Sequence, residues 1–178
     1  KGDFYNDVNG NNKFDPIWIG GFHNSRPAQG VNDDLWARVM VIDDGETKIA
    51  IVSIDAVGFI YDDAVDIRKE VKKKIGCDYT IVSSTHVHQA PDLIGIWGPS
   101  YFKSGVNKHY MQYVKKQTIA AISTAVKNLV PVTLRIGQDL TGAIPFVVDS
   151  RDPQELDPGI RIIQALDLNT EETLGSLV

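Results

Sequence analysis

The chain has 178 residues, 43% of them hydrophobic and 23% charged, which is the composition of a globular protein large enough to bury a real core. A net charge of −5 argues against a nucleic-acid partner, whose phosphates call for a basic face. Cys77 is the sole cysteine, so an intrachain disulfide and a cysteine-built zinc knuckle are excluded, and no apolar run approaches the about 20 residues of a transmembrane helix.

Residues 1–34 are rich in Gly, Asn and Asp and read as loop, with one apolar island at Ile17-Trp18-Ile19. Two β-branched runs follow, Leu35 to Ile42 and Lys48 to Ile54, around Asp43-Asp44-Gly45-Glu46. An Asp-Gly between such runs predicts a hairpin. The second run is almost wholly apolar, as expected of a strand buried on both faces. Ala64, Ile67, Val71 and Ile75 recur at spacings of three and four, predicting a helix from Tyr61 to Ile75 that Gly76 stops. The triplet Lys72-Lys73-Lys74 suits its solvated C-terminal end. Tyr79 to Ser84 is a second buried-type strand, so strand, helix and strand form a βαβ crossover with a parallel pair.

An irregular stretch from Thr85 to Asn107 leads into a helix from about Lys108 to Leu129, with Met111, Val114, Ala121, Ala125 and Leu129 as its apolar stripe. Pro131 ends it. Strands are expected at Val132 to Ile136, Ile160 to Leu168 and Leu174 to Val178, with a polar loop over 142–158. The last strand runs to the final residue, which suggests a truncated domain.

The sharpest local feature is Thr85-His86-Val87-His88. In extended backbone, residues i and i+2 point to one side, so His86 and His88 can face a single site. They lie just past the C-terminal end of a parallel strand, where α/β proteins place ligands. Neutral imidazole is a good zinc ligand. Asp55 ends the neighbouring strand and could orient a ligating imidazole through its second nitrogen; capping a helix or a loop is the equal alternative. Asp7, Asn9, Asn11 and Asp15 stand at relative positions one, three, five and nine, like the start of a calcium loop. Trp18 replaces the bidentate Glu of an EF-hand and Asn12 its central Gly, leaving a looser calcium site or a polar turn. His23 and His109 have no partner at ligand spacing. Ser83 and Ser84 lack the G-x-S-x-G surround of a serine hydrolase, and no glycine-rich nucleotide loop is present.

The ordered set GVNDDLWARVMVIDDG (Gly30 to Gly45), KIAIVSIDAVGF (Lys48 to Phe59) and YTIVSSTHVHQAP (Tyr79 to Pro91) resembles the neutral/alkaline non-lysosomal ceramidases. That family follows a G-h-D-x-L-x-A-R strand with a v-s-x-D strand and a T-H-T-H-S-G-P segment. DPGIRIIQALD (Asp157 to Asp167) is similar to its later D-P-x-h-x-v-L-x-h strand. The resemblance implies an α/β fold: a mixed sheet with a βαβ crossover and flanking helices, the incomplete N-terminal portion of a larger catalytic domain. Residues 1–34 would then be a loop-rich N-terminal segment and 35–178 the α/β part. It implies a zinc-dependent hydrolase of linear amide bonds, acting on an N-acyl sphingosine or related acyl amide. His86 would be a zinc ligand and His88 a catalytic group contacting the substrate amide. The remaining ligands, a histidine, a glutamate and a tyrosine, would lie beyond Val178.

It further implies a lipid-like substrate, peripheral contact with membrane lipids, and a secreted, periplasmic or cell-surface location. Ile94, Ile96, Trp97, Tyr101 and Phe102 follow the histidines and could line an apolar groove or, equally, pack on the core. The sequence departs from the family at Gln89-Ala90, at Asn32 and at Asp92-Leu93-Ile94-Gly95, the last a segment that the resemblance places at the pocket mouth. A metal-dependent hydrolase of an ester or glycolipid, and a calcium-stabilised extracellular module without activity, therefore stay open beside the amidase.

Overall fold

The computed structural model describes Gly10, Asn12, Lys13 and residues 15–178. Asp7, Asn9 and Asn11 of the expected calcium loop lie outside the described residues. Asp15 is exposed. The chain divides into two compact units, Lys1–Asn128 and Leu129–Val178. The division thus falls after the second long helix and not near residue 34, where the composition changes. Residues 17–28 belong to the first unit because their backbone is bonded to residues 90–98, through Gly20 N to Ala90 O, Asp92 N to Trp18 O and Ser25 N to Gly98 O.

In the first unit, β1 (Ala37–Asp43) and β2 (Lys48–Ile54) form the expected antiparallel hairpin. Its turn is closed by side chains: Asp43 accepts from Gly45 N, and Asp44 from Glu46 N and Thr47 N. These amides hold the carboxyls of Asp43 and Asp44 below the usual carboxylate range. From β2 the chain crosses through α1 (Tyr61–Lys74) to β3 (Tyr79–Ser84), which pairs parallel to β2. Gly76 adopts a left-handed φ of 83° and returns its amide to Val71 O, ending the helix as expected. The second helix, α2 (Lys108–Lys127), starts at Asn107, whose side chain accepts from Tyr110 N.

The core gathers one face of the sheet against both helices. Ala50, Val52 and Ile54 of β2 meet Ile67 and Val71 of α1 and Met111, Val114 and Ile122 of α2. Fully burying such a side chain stabilises by about 1.5–3 kcal/mol. β2 and β3 are covered on this face only. On the other face, Ile49 and Ile51 are half-buried and Tyr79 and Ile81 exposed. The expectation of strands covered on both sides fails because both described helices lie on one side.

The stripe of α2 also differs from the expected one. Met111, Val114, Lys115, Thr118 and Ile122 are buried, whereas Leu129 lies past the helix end and is exposed. The spacing of three and four is kept, but two of its positions are polar, so a hydrophobic count slips the register. Lys115 is tolerated because its ammonium meets Asp63 at 2.6 Å and Asp66 at 2.7 Å, both on α1. Among the described residues no helix is long and apolar enough to cross a membrane.

The second unit is an antiparallel meander of β4 (Val132–Asp139), β5 (Ile160–Asp167) and β6 (Thr173–Leu177). The expected strand Ile160 to Leu168 is β5. The β4–β5 connection is organised by Asp149, which accepts from the Arg151 side chain and from the amides of Arg151 and Glu155. The Arg151 side chain first, and then those amides, hold the Asp149 carboxyl down at about 2.

Burial works to lower the pKa of Lys115, but its bonds to Asp63 and Asp66 outweigh it and raise the value. The Lys115 bond lowers Asp66. A depressed carboxyl stabilises the fold above its unfolded pKa and loses that contribution as the pH falls through its folded value. A raised lysine stabilises below its unfolded pKa and loses it as the pH rises through its folded value. Lys115→Met is therefore expected to lower the thermal unfolding midpoint at pH 7. The gap to wild type should narrow toward both acid and strongly alkaline pH, as a midpoint-against-pH series would record.

Candidate functional site

β3 delivers the site. Its last rung is Thr85 N to Ile54 O at 3.0 Å, and the backbone then turns. His86 has a φ of 62°, in the left-handed region. The extended backbone expected for Thr85 to His88 is therefore broken at His86 itself. Such a conformation costs a non-glycine residue on the order of 1–2 kcal/mol, and residues held this way concentrate at functional sites. The turn nevertheless brings the two histidines together, with ring centroids 4.8 Å apart and planes at 71°.

Their polar atoms have defined partners. Nδ1 of His86 lies 2.6 Å from the carbonyl oxygen of Val57, in the loop after β2. A carbonyl only accepts, so Nδ1 carries the proton, and in the neutral ring Nε2 is left with a lone pair. Nε2 of His88 lies 3.3 Å from Nε2 of His86 and is the donor of that contact. His86 is exposed and His88 half-buried.

Asp55 does not take the expected place beside His86. Its carboxylate accepts from Trp36 N at 2.9 Å and pairs with Arg38 at 3.1 Å, both on the β1 side. The hairpin partner of β2 claims the carboxylate, and two residues later a main-chain carbonyl orients the imidazole instead. Asp55 also borders a cleft of about 200 Å³ with Trp36, Tyr110 and Tyr113. Burial, with Tyr113 adding to it, pushes the Tyr110 phenol up, so it stays protonated at neutral pH. A larger cavity of about 660 Å³ lies between α1 and α2 and includes neither histidine. His23 bonds the neighbouring Asn24 carbonyl and His109 is exposed on α2, as their spacing suggested.

Asp92 is a structural centre that pattern reading missed. It is 1% exposed, and its carboxylate accepts from the amides of Ile94, Gly95 and Trp97. It thereby shapes the loop that follows the histidines. A signal was present: an Asp three residues before a Gly is a side-chain-closed turn. Beyond it the chain turns back at Ser100–Lys103 and presents Tyr101 and Phe102 at 84% and 99% exposure, with Ile96 also exposed. The apolar residues expected to border a groove thus divide: Ile94 and Trp97 are half-buried, and the other three face outward.

The pair fits the needs of a zinc ligand at His86. Its Nδ1 is fixed by a carbonyl, as supporting hydrogen bonds fix metal-bound histidines, and its Nε2, on an exposed residue, carries the 3.3 Å contact from His88 that a metal ion would replace. Among the described residues no group of three or more His, Cys, Asp or Glu side chains stands where it could hold a metal ion.

No protein-family model and no curated protein matches the chain. Solved structures do. A crystal structure of neutral ceramidase from Pseudomonas aeruginosa matches with a TM-score of 0.69 at 17% identity, over 91% of this chain and 28% of that one. A structure of a ceramidase complexed with C2 matches with a TM-score of 0.69 at 17% identity, over 90% of this chain and 28% of that one. The fold is therefore one shared with neutral ceramidase, in agreement with the resemblance carried by the strand motifs. The chain spans 28% of the length of the ceramidases it matches.

Asp92→Ala would leave three amides without their acceptor. It is expected to destabilise the protein by about 2–3 kcal/mol, measured by urea unfolding. Asp92→Asn, which keeps one oxygen for Ile94 and Gly95, should cost less.

Proposed function

We propose that the full-length protein is a hydrolase of linear amide bonds of ceramidase type, with zinc held in part by His86 and with His88 acting on the substrate beside it. The observation that carries this reading is the arrangement of His86 at the end of a parallel strand: Nδ1 lies on the Val57 carbonyl at 2.6 Å, which leaves Nε2 as the atom to bind a metal in place of its contact with His88. The likeness in fold to neutral ceramidase supports it.

When bound, zinc would supply Lewis-acid polarisation of a carbonyl and a water acidified to a pKa of about 7. The residues of this chain do the rest. Val57 holds His86 in the tautomer a metal requires. Nε2 of His88 carries a proton 3.3 Å from Nε2 of His86. From there it can donate a hydrogen bond to a substrate carbonyl oxygen as negative charge builds on it, and, once its Nδ1 has taken a proton from the attacking water, pass the Nε2 proton to the departing amine. The half-buried Ile94 and Trp97 and the outward Ile96, Tyr101 and Phe102 suit a substrate with a long apolar chain at a lipid surface. The substrate class is an N-acyl sphingosine or a related acyl amide. A secreted, periplasmic or cell-surface location belongs to the same proposal.

The test is a panel of acyl amides and matched esters given to the full-length protein before and after chelation and zinc return. Amide hydrolysis should vanish on chelation and recover with zinc. His86→Ala should abolish the recovery, and His88→Ala should lower kcat roughly 10²- to 10⁴-fold. Cleavage of esters alone, or chelator-sensitive activity untouched by His86→Ala, would contradict the proposal.

A further inference from the structure

We infer that the turn from Gly20 to Arg26 is a positioning device for His88, fixing which way its imidazole faces. The inference rests on the reading of His88 as the group that acts on the substrate. Three contacts carry it. Gly21 is buried at a φ of 92°, and a Cβ there would sit 2.5 Å from Cγ and 2.7 Å from Nδ1 of His88. No side chain fits that gap, so the bare backbone of Gly21 backs the ring. Phe22 meets the same ring edge-on, with centroids 4.9 Å apart and planes at 74°. Arg26 then ties the turn to the residue after His88. Its Nη1 donates to Gly21 O at 3.1 Å, its Nη2 donates to Gln89 Oε1 at 3.3 Å, and its guanidinium lies 5.4 Å from the Phe22 ring centre.

The energetics point to His88 and away from simple packing. Phe22 has a φ of 57°, an unfavourable conformation for a bulky residue, directly after the left-handed Gly21. Burial of the Phe22 side chain does not offset that cost, since the residue is 72% exposed. What the strained pair gains is contact with the His88 imidazole and with the Arg26 guanidinium that ties it to Gln89. The turn is itself fixed at both ends, by Gly20 N to Ala90 O and Ser25 N to Gly98 O, so it moves with the histidine loop as one body. A half-turn of the His88 ring would put Cε1 in the place of Nε2 and Cδ2 in the place of Nδ1, taking the N–H from its place 3.3 Å from His86 and with it the contact that selects the Nε2–H tautomer. Holding a donor in one orientation is a recognised share of catalysis.

The experiment compares the full-length protein with Phe22→Ala and Phe22→Tyr, substitutions at an exposed position that leave both histidines in place. Four quantities are read: kcat and KM on a detergent-dispersed N-acyl sphingosine, the thermal midpoint, and the two-bond ¹H–¹⁵N pattern of the His88 ring. The ring pattern is taken on metal-free protein labelled at histidine, with His88→Gln giving the assignment. Phe22→Ala should lower kcat roughly 10- to 100-fold with KM changed by no more than about twofold. It should also replace the Nε2–H signature of His88 by an averaged pattern. Phe22→Tyr, which keeps the ring edge, should retain the wild-type kcat and signature. An unchanged His88 pattern in Phe22→Ala overturns the inference. So does a kcat that falls only in step with the midpoint in both variants. If the wild-type protein cleaves no amide, the proposed function fails by itself, and the ring pattern still decides the positioning role.

Discussion

The carbonyl oxygen of Val57, 2.6 Å from Nδ1 of His86, governs what the histidine pair can do. It accepts and cannot donate, so it forces the proton of His86 onto Nδ1 and the lone pair onto Nε2. That assignment in turn makes Nε2 of His88 the donor across the 3.3 Å gap. One main-chain atom thus orders the hydrogen bonds of two side chains. The carboxylate closest in sequence to this position, Asp55, is occupied by Arg38 and the Trp36 amide and so leaves the site undisturbed.

Val57 can hold this place because the chain before it is rigid. β2 lies between an antiparallel and a parallel neighbour, with Ala50, Val52 and Ile54 sealed under both helices. Ala56 and Val57 are themselves buried at 0% and 2% exposure. The opposing side of the site is irregular backbone, and polar side chains give it shape. Asp92 gathers three amides, Asn24 accepts from Gly98 N, and Arg26 binds Gly21 and Gln89. A hydrophobic scaffold on one side and a polar-closed loop on the other is a common division of labour between stability and chemistry.

Periodicity carried most of the fold. The Asp-Gly hairpin, the helix ended by Gly76 and the parallel strand leading to His86 all follow from local pattern, because each is a local solution to burial and turn geometry. The errors arose where a long-range partner decides the outcome. Thr118 and Lys115 are buried on α2, and only the carboxylates of Asp63 and Asp66 on another helix make that affordable for the lysine. β2 and β3 read as buried-type strands but have a half-open second face, which strand composition does not report. At the site, the meeting of His86 and His88 was legible from their spacing. The left-handed turn that produces it was not, nor was the choice of Val57 O over Asp55, since both depend on how three separate segments fall together. Gly21 and Phe22 gave no sign in the sequence, as their meaning lies in a contact with a residue 66 or more positions away.

The central claim is that His86 is prepared by Val57 to bind a metal through Nε2. Crystals of the zinc-loaded full-length protein, measured on either side of the zinc absorption edge, test it directly. The account predicts an anomalous peak about 2.0–2.1 Å from Nε2 of His86, with Nδ1 still on the Val57 carbonyl. A peak bonded to Nδ1, or zinc bound elsewhere with His86 turned away, would contradict it.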